Sequence, residues 1–343
     1  MRLKLPVWTI LVSVACINPG STVSAQRVPD PGTERETVFG NYAVRQVTAN
    51  AGQAAAAASA DPAQETFTRE IPGVVAGRTR VEFIKAGFNG VEAVIGLPDG
   101  SVLFGEYEAN KILKIDAAGT ISTYLDNTNR TIGLAFDPKG RLIATQSRDP
   151  RLVVLTPTYM VLADSFEGQP LVRPNDLVID RKGGIYFTDP VPGAEQQFRE
   201  PPAGRKPLLF YRTPEGRLTK VAELTSANGV QLSPDEKTLY ATNGTHLVAF
   251  DVQADGSVTN MRKFADSRGD GLAVDNAGRL YSAFAEGVNV ISPQGKILGV
   301  IPTPVGMQSV GFAGPDKRTL YMIGRGAAYK VRVLAEGIRS RAK

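Results

Sequence analysis

Glu92, Asn175, Asn228 and Asp270 are the side chains of this sequence best placed to do chemistry together, two carboxylates and two amides that all offer oxygen. Two negative charges among four oxygen donors suit a hard divalent cation, calcium (Ca2+) first. Such an ion takes about six to eight oxygens, so positions would remain for water or substrate. Zinc is poorly served, because the chain has a single histidine, His246, and a single cysteine, Cys16. Taken alone, Asn228-Gly229 or Asp270-Gly271 reads as a turn. Their spacing makes them a set.

Each of the four opens an apolar strand that runs into a turn marked by an aspartate. Aligned at that opening position, six segments begin with Glu92, Ile132, Asn175, Asn228, Asp270 and Ser309. The opener lies five residues before the aspartate where the turn is Asp-x-x-Gly and seven before it where the turn is Pro-Asp. Both offsets are odd, so strand parity sends all six side chains toward one face.

The elements that must hold them are repeats. The turns at Asp99, Asp137, Asp180, Asp235, Asp275 and Asp316 each precede a short apolar run, as in Val102-Leu103-Phe104, Ile185-Tyr186-Phe187 and Leu280-Tyr281-Ser282. Intervals of 38, 43, 55, 40 and 41 residues between these aspartates match four-stranded propeller blades. Further β-prone runs, such as Ile112 to Ile115 and Leu247 to Phe250, supply later strands of each repeat. The long interval holds Pro190 to Pro207, rich in Pro and Gly and expected as a loop. Arg80 to Lys85 precedes the first turn and is expected to close the ring against Tyr329 to Val333. The expected fold is therefore all-β, a six-bladed β-propeller with four-stranded blades over residues 79–335.

Ahead of it, Arg2 and Lys4, the apolar run Val7 to Ile17 and Val23-Ser24-Ala25 read as a cleaved signal peptide over residues 1–25. The apolar run is too short to span a bilayer, so no stable membrane insertion is expected after cleavage. Cleavage would remove Cys16, leaving no thiol or disulfide, and a periplasmic or secreted protein. Residues 26–78, with an alanine-rich stretch from Ala49 to Pro62, read as a flexible linker. The net charge of +5 has no basic run beyond the tail at 336–343, where Arg339, Arg341 and Lys343 read as a solvated end. Nucleic-acid binding is not indicated. Nothing in the sequence fixes an oligomeric state.

The stretches Phe166-Glu167-Gly168, Arg173-Pro174-Asn175-Asp176-Leu177, Gly184-Ile185-Tyr186-Phe187-Thr188-Asp189-Pro190, Asn228-Gly229, Ser233-Pro234-Asp235 and Asp270-Gly271-Leu272-Ala273-Val274-Asp275 resemble the SMP-30/gluconolactonase family of calcium-dependent lactone hydrolases. The resemblance covers about Arg80 to Val333. It implies metal ligation by Glu92, Asn175, Asn228 and Asp270, the set that parity reaches independently. It also implies opening of a lactone or similar small ester, with Asp270 as general base. Glu106 and Arg173 are expected at the channel mouth and, with Asp176 and Ser309, are the candidate substrate contacts. Two departures stand out: Glu92-Ala93-Val94 where the family has Glu-Gly-Pro, and Ile132-Gly133 where it has Asn-Gly. A phosphotriesterase-like calcium propeller would use a similar ligand set. A non-enzymatic propeller around a structural ion is the reading from another class.

Overall fold

All six turn aspartates fold their own turns. In each, one Oδ1 accepts the backbone amide two residues ahead, at 2.9–3.1 Å, from Ser101, Lys139, Lys182, Lys237, Ala277 and Arg318. In the three Asp-x-x-Gly turns the same oxygen also takes the amide four residues ahead, that of Arg141, Gly184 or Arg279. Gly140, Gly183 and Gly278 provide the left-handed residue these turns need.

The computed structural model describes residues 61–193, 198 and 200–340. The expected signal peptide, residues 26–60 of the expected linker and Arg341 and Lys343 lie outside them. Two strands precede the regular blades, β1 (Thr66–Phe67) and β2 (Arg80–Ala86). The first blade is β3 (Val91–Gly96), β4 (Val102–Glu106), β5 (Lys111–Ile115) and β6 (Ile121–Asp126). The second is β7 (Thr131–Phe136), β8 (Leu142–Gln146), β9 (Arg151–Thr156) and β10 (Met160–Ala163). A small hairpin follows, β11 (Ser165–Phe166) and β12 (Gln169–Pro170). The third blade is β13 (Leu177–Ile179), β14 (Ile185–Asp189), β15 (Leu208–Arg212) and β16 (Leu218–Glu223). The fourth is β17 (Val230–Leu232), β18 (Thr238–Asn243), β19 (His246–Val252) and β20 (Val258–Ala265). The fifth is β21 (Leu272–Val274), β22 (Leu280–Phe284), β23 (Gly287–Ile291) and β24 (Ile297–Pro302). The sixth has β25 (Ser309–Ala313), β26 (Thr319–Gly324) and β27 (Ala327–Arg332), with β2 as its fourth strand and β1 outside that. The expected closure is observed, with Glu82 opposite Lys330 and Phe83 opposite Tyr329. Pairing the first strand with the last blade leaves no seam in the ring.

Six clusters of buried apolar side chains hold the ring, one between each pair of neighbouring blades. Because each blade is packed on both faces, its central strands need no alternation of apolar and polar residues, and β3, β8 and β14 are buried along their whole length.

Both ends of the propeller differ from expectation. The linker reading extends to residue 78, yet Ile71, Val74 and Val75 are sealed into the cluster between blades five and six. The Ala-rich composition ends before them, and these three apolar residues cap that interface. The tail is also docked where it is described. Gly337 bridges to Asp275, its amide donates to Lys317 O at 2.8 Å, and Ile338 packs against the cluster between blades four and five. Ile338 is buried there, and Arg339 bonds the carbonyls of Pro315 and Asp316 beside it.

Candidate metal centre and channel mouth

Asn175, Asn228 and Asp270 each stand two residues before the inner strand of their blade, and Glu92 stands within β3. The backbone holds them at one level. Asn175 N donates to Thr188 O and Asp270 N to Ala283 O, both at 2.8 Å. Threonines of the preceding blade fix the carbonyls: Thr188 Oγ1 donates to Asn228 O at 2.6 Å, and Thr145 Oγ1 to Asn175 O. Gly133, Gly229 and Gly271 permit this approach, since a β-carbon on each would overlap the carbonyl of Asn175, Asp270 or Gln308 in the next blade.

The sixth member of this ring is Gln308, not Ser309. Gln308 N donates to Ile323 O at 2.8 Å, in the manner of Asp270 with Ala283. The sixth hairpin carries one more rung before its turn, Ala313 opposite Thr319, so counting back from Asp316 lands one residue late. The Gln308 amide reaches Glu92 Oε1 at 3.4 Å, and its oxygen accepts the Arg325 amide at 3.1 Å. Pairing register, not turn chemistry, is the signal that finds it.

Ser309 and Asp176 instead share a second role. Ser309 Oγ accepts Val94 N at 3.1 Å, and Asp176 Oδ2 accepts Val230 N at 2.9 Å, each stapling the inner strand of the following blade. The other oxygen of Asp176 accepts the Leu177 amide at 3.0 Å. Glu106 also serves the backbone, with Oε1 accepting Asn89 N at 2.8 Å. Ile132 is buried but belongs to none of the six interblade clusters.

Around Asp270 the electrostatics call for positive charge. Burial first, and then the Asp176 carboxylate, push its carboxyl up to about 7, opposed by Arg173, by the Asn228 side chain and by Arg325. Its Oδ1 is sealed from solvent with no hydrogen-bond partner in the protein, and Thr242 Oγ1 and Ser282 Oγ are likewise sealed and unpartnered. A buried carboxylate oxygen without a donor is costly, and a cation would satisfy it. Among the described residues no three of His, Cys, Asp and Glu cluster as ligands, so a cation here depends on the two amides. The oxygen-only donor set fits a hard divalent ion.

Arg173 links this group to the mouth, where its charge also acts on Tyr107. Burial raises the Tyr107 hydroxyl, Glu92 adds to the rise, and Gln308 bonds it. Asp189 positions the approach: its fully buried carboxylate accepts the amides of Val172 and Arg173 and pairs with Arg205 of the loop after β14. Burial raises that carboxyl, with the two amides and Arg205 pulling against it. Arg130 pairs with Glu108 and lies 5.2 Å from the Tyr107 ring and 4.7 Å from that of Phe198. Tyr107, Arg130 and Phe198 are mouth residues that the repeat pattern does not reveal, because they sit in loops outside the strand periodicity. Pro190 to Pro207 has no strand among its described residues, as expected.

A six-bladed ring that gathers carboxylate and amide oxygens at one end of its channel defines a β-propeller with a polar mouth. The chain belongs to the SMP-30/gluconolactonase/LRE-like family, whose region matches residues 93–324. A gluconolactonase from Zymomonas mobilis is 25% identical over 272 residues, covering 68% of this chain and 76% of that protein. The lactonohydrolase oryL of Aspergillus oryzae is 26% identical over 209 residues, 52% of this chain but only 48% of that protein's length. A gluconolactonase from Xanthomonas campestris superposes with a TM-score of 0.72 at 26% identity, covering 80% of this chain and 96% of that one.

Proposed function

We propose that this protein is an exported hydrolase that opens a lactone, with a divalent cation held by Glu92, Asn175, Asn228 and Asp270. The observation that carries the reading is the sealed, unpartnered Asp270 Oδ1 within a ring of oxygen donors. Similarity to gluconolactonases and a lactonohydrolase supports the substrate class. When bound, the cation supplies polarisation of the carbonyl oxygen and stabilisation of the negative charge that develops there.

The chain's own residues do the rest. Asn228 orients Asp270 through its side chain. Asp270 receives a proton from the attacking water as the water oxygen bonds to the lactone carbonyl carbon. The bond from that carbon to the ring oxygen then breaks and the proton passes from Asp270 to the ring oxygen, giving a hydroxy acid that releases the second water proton to solvent to become the hydroxycarboxylate. Arg173 and Gln308, both only partly buried, face the incoming substrate. Calcium is the cation we assign, because the donors are carboxylate and amide oxygens only.

The test is hydrolysis of a lactone panel headed by glucono-1,5-lactone, followed by pH-stat, with an organophosphate ester as control. Turnover that disappears with EDTA, returns with calcium and is lost in Asp270→Asn even at calcium concentrations that saturate the variant is the expected result. Unchanged turnover in Asp270→Asn sinks the base assignment; turnover of the phosphate ester alone moves the protein to the phosphotriesterase-like reading.

A further inference from the structure

At the opposite end of the channel, the turns between inner and second strands of blades one, two, three and six line a partly open cavity of about 710 Å³. Its walls include Pro98, Tyr124, Phe136, Pro138, Ile179 and Pro315, so the lining is largely apolar. Three cations reach it, Lys317, Arg339 and Arg181. The two acids that line it are already engaged. Asp137 accepts the amides of Lys139 and Arg141 and the Arg141 guanidinium, and Asp180 accepts the amides of Lys182 and Gly184 and the Tyr211 hydroxyl.

Lys317 is the unusual member. Only 9% of it is exposed, yet its ammonium has no carboxylate partner among the described residues and donates only to Gly96 O, at 3.3 Å. Burial first, and then the like charge of Arg339, lower its affinity for the proton. Arg181 is drawn aside by Pro234 O and Glu236, and Arg339 by Glu336, Pro315 O and Asp316 O. A buried ammonium is costly to leave uncompensated, and a cavity of this size accommodates a small molecule.

We propose that this cavity binds a small organic carboxylate, its anionic head on Lys317 in the field of Arg339 and its apolar body against Phe136, Tyr124 and the prolines. The site lies one inner-strand length from Glu92 and does not depend on the lactonase reading. A single buried ammonium favours a singly charged head, and the apolar walls favour an organic body over an inorganic anion.

Isothermal titration of the full chain with octanoate, with inorganic phosphate as the comparison, tests this at constant ionic strength. Saturable octanoate binding is expected, at least tenfold weaker in Lys317→Met and weakened in Arg339→Gln, with phosphate far weaker than octanoate. Lys317→Met, lacking an uncompensated buried charge, should also unfold at a higher Tm without ligand. Absence of saturable octanoate binding, equal affinity in both variants and wild type, or phosphate binding as tightly as octanoate would overturn the proposal.

Discussion

Asp176 Oδ2 accepts the backbone amide of Val230 at 2.9 Å, so a carboxylate of the third blade holds the inner strand of the fourth. Its Oδ1 holds Leu177 N. With both oxygens occupied by amides, this carboxylate joins blades beside the candidate metal centre.

Asp176→Asn turns one acceptor into a donor facing an N–H. We expect a stability loss of about 2 kcal/mol, the scale of a hydrogen bond to a charged group plus an unmet amide, read from urea denaturation. KM for the lactone should stay unchanged in folded protein. A raised KM with unchanged stability would instead return Asp176 to the substrate.

Gly229→Ala would drive a β-carbon into the carbonyl oxygen of Asp270 and crowd Leu272. Overpacking of this kind costs about 1–3 kcal/mol. Displacement of Asp270 should lower kcat/KM about a hundredfold at temperatures where the variant is folded, the scale of a misplacement of about 1 Å. Steady-state kinetics beside circular dichroism separates the two effects.

Ala93 has a φ of 66°, in the left-handed region, at the irregularity in the pairing of β3 with β4. Glycine takes this conformation without the β-carbon clash. Ala93→Gly should therefore stabilise the protein by about 1 kcal/mol, offset in part by the greater freedom of glycine in the unfolded chain. A lower Tm in this variant would show that the alanine methyl makes packing contacts worth more than the strain.

Acid stability should fall in a defined window. The Ser101 hydroxyl and amide and Lys114 hold Asp99 at about 2, and Arg332 holds Asp316 at about 2, both below the ordinary 3.8. A depressed folded-state pKa contributes stability above the unfolded value, which is lost as pH falls from about 4 toward 2. Each contribution is about 1 kcal/mol or less, because both carboxylates stand in solvent. Ser101→Ala should flatten this acid limb in urea melts taken at pH 2 to 5, and an unchanged limb would assign the loss to other carboxylates.

Features that depend on near neighbours are legible in the sequence. An aspartate that folds its own turn and a short apolar strand need no distant partner, so the six repeats, the closing strand and the openers Glu92, Asn175, Asn228 and Asp270 are all visible there. Ser309 is expected where Gln308 stands because Ala313 opposite Thr319 adds a rung that only the pairing of two strands can declare.

Sequence by itself determined the blade repeat, the turn chemistry and the oxygen character of the candidate ligands, because each depends on neighbours a few residues apart. Tertiary structure alone decided that Ile71, Val74 and Val75 pack between blades five and six, that Asp176 and Ser309 staple blades together, that Asp270 Oδ1 is buried without a hydrogen-bond donor, and that the Lys317 ammonium is buried with no carboxylate partner among the described residues. Those outcomes depend on which surfaces meet when the ring closes, and burial converts such meetings into energy only after the blades are in place.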